Sequence, residues 1–150
     1  MYFAHQIAIY IINWHYYFNI PITNLRLQKL LYFVQGEYYH IQRKRLIKED
    51  FYAWQLGPVI PEIYFEFSMF SSSNIPLQKD AINLDTKKVH AADENIINKI
   101  LMNYKSSSTW DLVELSHKQD PWKYNYEVFG NKSIIPFESI CNYFGSGESN

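Results

Sequence analysis

Glu114-Leu115-Ser116-His117 concentrates more potential chemistry than any other short stretch of the chain, because a carboxylate and an imidazole at i and i+3 share one helical face, the half-site of di-iron carboxylate bundles. A complete site of that kind takes a second such pair and two further glutamates. The Glu114/His117 pair is read as isolated, and His5, His15, His40 and His90 show no metal-ligand spacing among themselves, so no metal or other cofactor is expected. His117 is instead expected to close its helix, where an imidazole can hydrogen-bond the last carbonyls. A nucleophile reading fares no better. Ser116 and His117 are adjacent, so on a helix they point about a quarter-turn apart and do not pair as nucleophile and base. Cys141 sits on an apolar helix face, where a lone cysteine is a small core residue. There is no Gly-x-Ser-x-Gly elbow, phosphate-cradling glycine loop or dinucleotide fingerprint. No residue is assigned a catalytic role, and an unrecognised hydrolase stands as the competing class.

Charge and composition narrow the classes further. A net charge of -1 over 150 residues makes no electrostatic case for nucleic acid or an acidic membrane. Arg43-Lys44-Arg45 with Lys48 could contact phosphate, but four cations on one turn of a near-neutral domain are first a solvated loop. The apolar run Ile7-Ala8-Ile9-Tyr10-Ile11-Ile12 lacks a preceding cation and a cleavage site, and His5, Asn13, His15, Asn19 and Pro21 interrupt any window long enough to span a bilayer. One cysteine cannot form an internal disulfide, which points to a reducing, cytoplasmic setting.

The elements that must position these residues follow from periodicity. Ile7, Ile11, Trp14 and Phe18 define a buried first helix stopped at Asn19-Ile20-Pro21, and Thr23 or Asn24 caps the next. In that second helix Leu27, Leu30, Leu31, Val34 and Tyr38 form an apolar stripe, with Gln28, Tyr32, Gln35 and Tyr39 beside it. Phe51 to Trp54 reads as a strand, and Gly57-Pro58 as a rigid turn. Pro61 opens a short helix to Phe70, with Ile60, Tyr64 and Phe67 facing one way. From Ser71 to Ala92 only Ile82, Leu84 and Val89 alternate, as in a short hairpin or irregular chain. Asp93 caps a helix over 94–104 with Ile96, Ile97, Ile100 and Leu101 inward. Ser108 with Asp111 forms a capping box, Asp120-Pro121-Trp122 a turn, and Pro136 starts a last helix carrying Phe137, Ile140, Tyr143 and Phe144. The expected architecture is mainly α, one compact helical domain over 1–144 with a minor β element and a disordered tail over 145–150.

Three blocks in order carry a resemblance to a known family. They are Pro21-Ile22-Thr23-Asn24-Leu25-Arg26-Leu27-Gln28-Lys29-Leu30-Leu31-Tyr32-Phe33, then Ala53-Trp54 with Gly57-Pro58-Val59, then Leu115-Ser116-His117 with Pro121-Trp122. Together they resemble the Panacea domain family of SocA-like antitoxins, which includes phage-associated GepA-like proteins, over roughly residues 4 to 144. Where the family suggests a Gly-containing turn, this chain has Lys105-Ser106-Ser107-Ser108.

The resemblance implies an antitoxin, of interest for phage defence, that neutralises a toxin encoded by the adjacent gene through direct protein-protein binding. An adaptor that delivers the toxin to a protease or its unfoldase is the alternative, and homo-oligomerisation is open. With the chain ending at Asn150, no separate DNA-binding domain is expected. Leu27, Leu30, Trp54, Gly57, Pro58, Tyr64, His117, Pro121 and Trp122 are expected to hold the fold. For Trp54 and Trp122 a core seat is favoured over an interface hot spot. Gln28, Lys29, Tyr32, Gln35 and Tyr39 are expected to contact the partner, with a buried polar network as the alternative for Gln28 and Lys29.

Overall fold

The computed structural model describes residues 1–78 and 88–146. Its order is α1 (Ala4–Tyr17), α2 (Asn24–Gln42), β1 (Phe51–Trp54), β2 (Gly57–Val59), α3 (Pro61–Glu66), a 3-10 turn (Ser68–Phe70), α4 (Ala91–Tyr104), α5 (Thr109–His117), α6 (Asp120–Phe129), β3 (Ser133–Ile135) and α7 (Phe137–Gly145). The fold is mainly α with a small antiparallel sheet of order β2-β1-β3, as expected. Ile82 and Leu84 lie outside the described residues, as do 147–150 of the tail.

α2 is the axle. It packs against α1, α3, α4, α5, α7 and β2, so the whole circumference of its middle turns is enclosed. Leu27, Leu30, Leu31, Phe33 and Val34 fill the core from its apolar side. Thr23 caps its start by accepting the Arg26 N–H at 3.2 Å, and Arg43 ends it in the left-handed region at φ 56. Gly36 is where α7 crosses: a Cβ there would fall inside the Phe144 ring.

Several local expectations need correcting. The helix from Pro61 stops at Glu66 and tightens to 3-10, and Ile60, Ile63 and Phe67 point inward while Tyr64 turns to solvent. α4 begins at Ala91 with His90 as N-cap; Asp93 sits inside the first turn, where its carboxylate accepts the Tyr2 hydroxyl at 2.6 Å and the Tyr38 hydroxyl at 2.7 Å. Asp120-Pro121 opens a helix, α6, rather than making only a turn, since proline at the start of a helix and proline in a turn share one local signature. β3 was legible in neither period nor composition, because three residues cannot show alternation and its form is imposed by pairing with β1. The Ser108–Asp111 capping box forms, and the turn before it is closed by Ser107 N–H to Tyr104 O at 3.1 Å. The Arg26 guanidinium then holds that turn through Ser107 O at 2.7 Å and Tyr104 O at 2.9 Å, so no glycine is required.

Candidate functional site

The polar flank of α2 is buried. Gln28, Lys29, Tyr32 and Gln35 have at most 1% of their surface exposed, so the partner-contact expectation for these four is corrected and their role is the buried network. What each touches explains why. Gln28 accepts the Ile60 N–H at 3.0 Å and donates to Asn24 Oδ1 at 3.0 Å, and Asn24 in turn donates to Tyr64 O at 2.9 Å. Lys29 Nζ donates to Pro58 O at 2.6 Å. Tyr32 donates to Gln119 Oε1 at 2.8 Å, and Gln35 satisfies the Leu46 and Ile47 N–H groups and the Ile47 carbonyl. Tyr39 alone is half-exposed, packed edge-on to Phe137 of α7.

Three of these bonds converge on one segment, 54–64, and the third sequence block meets it from the other side. Trp122 donates its indole N–H to Trp54 O at 2.8 Å. His117 stacks on Trp122 with ring centroids 4.0 Å apart, beside the Gln55 backbone. Burial, and the nearby Lys29 ammonium after it, push the His117 pKa down. His117 ends α5, as expected, with its ring packed on Trp122 beside the hairpin. Ser116 is buried behind Gly57, where a Cβ would lie 2.7 Å from Ser116 Oγ and 2.8 Å from Lys29 Cε. Gly57 also has φ +111, so it is required twice, for its backbone angle and for its lack of a side chain. Neither tip residue, Gln55 or Leu56, has positive φ, and Gly57 makes the return that pairs it with Trp54.

The outer side of the same hairpin is aromatic and open. Trp54 is half-buried rather than seated in the core; its ring meets Tyr64 at 5.0 Å and Phe65 at 6.2 Å between centroids, and Lys132 Nζ lies 5.2 Å from its centroid. Leu56 at the tip is 42% exposed and Phe65 63%. Trp122 keeps the expected inner seat, sandwiched between His117 and Tyr126.

Catalytic alternatives find little geometry. The reading of Glu114/His117 as isolated overlooks a second Glu-x-x-His, Glu37-Tyr38-Tyr39-His40, visible in the sequence once every Glu is paired with position i+3. On α2 it stands eight residues beyond Lys29, about 12 Å further along the helix, so the two pairs do not face one site. Glu37, beside Tyr104, is raised in pKa by burial, while a ring nitrogen of His40 lies 2.7 Å from Phe144 O. Among the described residues no group of three or more His, Cys, Asp or Glu is arranged to hold a metal, and no helix is long and apolar enough to cross a membrane. Arg45, in the cationic turn, is spent on the Ile47, Lys48 and Glu49 carbonyls and on Asp50 rather than solvated, because the chain folds back around its guanidinium.

No solved structure matches the chain. A curated relative, Antitoxin SocA of Caulobacter vibrioides, is 35% identical over 112 residues, which are 69% of this chain and 60% of that protein, so the chain spans less than two thirds of the relative's length. The model of the family "Antitoxin SocA-like, Panacea domain" matches residues 27–123, from the buried Leu27 of α2 through the Trp122 that holds the hairpin, and the chain belongs to that family.

Proposed function

We propose that this protein is an antitoxin that binds a toxin encoded beside it directly, in the cytoplasm, and that the contact is the hairpin face of Trp54, Leu56, Tyr64 and Phe65. One observation carries the reading. Asn24, Gln28, Lys29 and Trp122, from two helices, all hold the backbone of residues 54–64, and that hairpin shows solvent its aromatic side. Buried polar groups fully committed to shaping an exposed segment give a preorganised surface, which lowers the ordering cost of association. Exposed Trp, Tyr and Phe are the side chains that dominate interface energies. The family name and the 35% identical antitoxin support the functional class.

Neutralisation of this kind needs no catalysis. Co-expression with the adjacent gene product is expected to rescue growth and to yield a co-purifying complex. Phe65→Asp, changed on the surface, is expected to abolish both while the protein stays folded. Rescue with no complex would instead favour an enzyme that modifies the toxin or its target. The adaptor reading has its own surface in the exposed Tyr124, Val128 and Phe129 of α6 and Ile134 of β3, and a protease or unfoldase would be expected to lose contact when these are made polar.

A further inference from the structure

Lys29 is an expensive residue to keep. Its side chain has no exposed surface, it forms no ion pair with a described carboxylate, and burial is the one cause moving its ammonium down to about pKa 7. A buried, unpaired cation costs stability, and an apolar residue of similar volume is often neutral or stabilising at such a place. Its neighbours show what it holds. β2 is an edge of the three-stranded sheet, and proline at 58 has no N–H, so the Pro58 carbonyl is the group the edge presents there. Lys29 caps that carbonyl at 2.6 Å, the adjacent Gln28 caps the Ile60 N–H at 3.0 Å, and Gly57 lets both helices close on the turn without a gap. On α5 the titratable side chain that feels the ammonium is His117, which stacks on Trp122.

We propose that Lys29 is a positioning residue for partner binding: it pins the Gly57–Pro58 turn so that Leu56, Trp54 and Phe65 stand in one fixed arrangement. The inference rests on the hairpin face being the contact, and it adds that the ammonium serves the shape of that face rather than the stability of the domain. Leu56 at the tip has no pairing partner of its own across the β1–β2 register, so its direction is set by how tightly the returning limb is held. Trp54 is anchored separately by Trp122, which makes the Lys29 limb the adjustable one.

The test is Lys29→Met, which keeps an unbranched stem of similar volume, one heavy atom shorter, and removes the donor and the charge. The melting temperature is expected to stay level or rise. Amide hydrogen exchange at Val59 and Ile60 is expected to accelerate about tenfold or more while exchange in α4 and α7 is unchanged, because only the hairpin loses a tether. Affinity for the purified adjacent-gene product is expected to drop about tenfold with the fold intact, as for loss of preorganisation. Lys29→Gln, neutral and one atom shorter but still a donor, is expected to fall between wild type and Lys29→Met on both readouts, and it replaces Lys29→Met should that variant fail to fold. Unchanged exchange at Val59 and Ile60 in a folded variant overturns the proposal, whatever the binding result. Normal binding by Lys29→Met together with lost binding by Phe65→Asp also overturns it while leaving the hairpin face as the contact. Normal binding by Phe65→Asp removes the contact reading itself, and the positioning role falls with it.

Discussion

The two halves of α2 use the same kinds of side chain for different ends. In the first half, Asn24, Gln28 and Lys29 reach outward to a hairpin whose far side is open to solvent. In the second half, Gln35, Tyr38 and His40 tie the helix to the residues after it, to α4 and to α7: Gln35 holds the 46–47 backbone, Tyr38 shares the Asp93 carboxylate with Tyr2, and His40 meets the Phe144 carbonyl. The second half is cohesion. The first half is presentation. The difference teaches that a buried polar group is not evidence of stability by itself; what it bonds to, and whether that segment has a free outer face, decides its meaning.

The comparison can be broken most forcefully at the joint between the halves. Leu30→Ala, at a position 1% exposed, is expected to cost about 2 to 5 kcal/mol by opening a cavity, and thermal or chemical denaturation should show it. Both halves should suffer, so binding per folded molecule should be unchanged. Gln35→Leu comes next: three buried backbone groups lose their partner, each worth about 1 to 3 kcal/mol, so denaturation is expected to report a loss of about 3 kcal/mol or more. The folded fraction should still bind its partner fully, and a binding defect there would erase the division of labour. Phe65→Asp tests the other half, with an expected affinity loss of at least about tenfold, or about 1.4 kcal/mol, and no change in melting temperature.

The smallest effect sharpens the contrast through pH. His15, buried and bonded to Ile11 O, is pushed down to about pKa 4 by desolvation, so the unfolded chain takes up a proton from about pH 6.5 that the folded chain refuses. Stability is therefore expected to fall as pH drops from about 6.5 to 4. Lys29 runs the same way at higher pH: with a folded pKa of about 7 against an ordinary 10.5, the unfolded chain holds the extra proton in between, and stability is expected to rise across that window. Above about pH 10 the buried Tyr32, Tyr38 and Tyr104, all raised, reverse the trend because the unfolded hydroxyls ionise first. Urea titrations at pH 7 and 9 should find the rise in wild type and lose it in Lys29→Met. A rise that survives the substitution would assign it to other groups.

Much of the frame was legible beforehand for one reason: apolar spacing reports which face of a segment is buried. That signal located α1, α2 and α7, placed β1 at Phe51–Trp54 to the residue, and agreed with the Ser108–Asp111 box. It misled where burial is polar. Gln28 and Lys29 look like solvent-facing residues in any period count, and only the backbone of 58–60, about thirty residues away in sequence, turns them inward. It also missed α6, whose buried positions are Pro121, Trp122 and Asn125 and leave Tyr124, Val128 and Phe129 outside, the reverse of what the residue types suggest.

The sequence by itself determined the helical class, the family and the three blocks that matter, because residue type, caps and spacing act locally and survive without knowledge of the partner segment. Only the tertiary structure decided that those blocks are three sides of one clamp, that Trp122 goes inside while Trp54 stays half out, and that the polar flank of α2 is interior. Hydrogen bonds to a distant backbone carry no period in the chain that makes them, so their partners exist as information only once the hairpin has been folded against the helix.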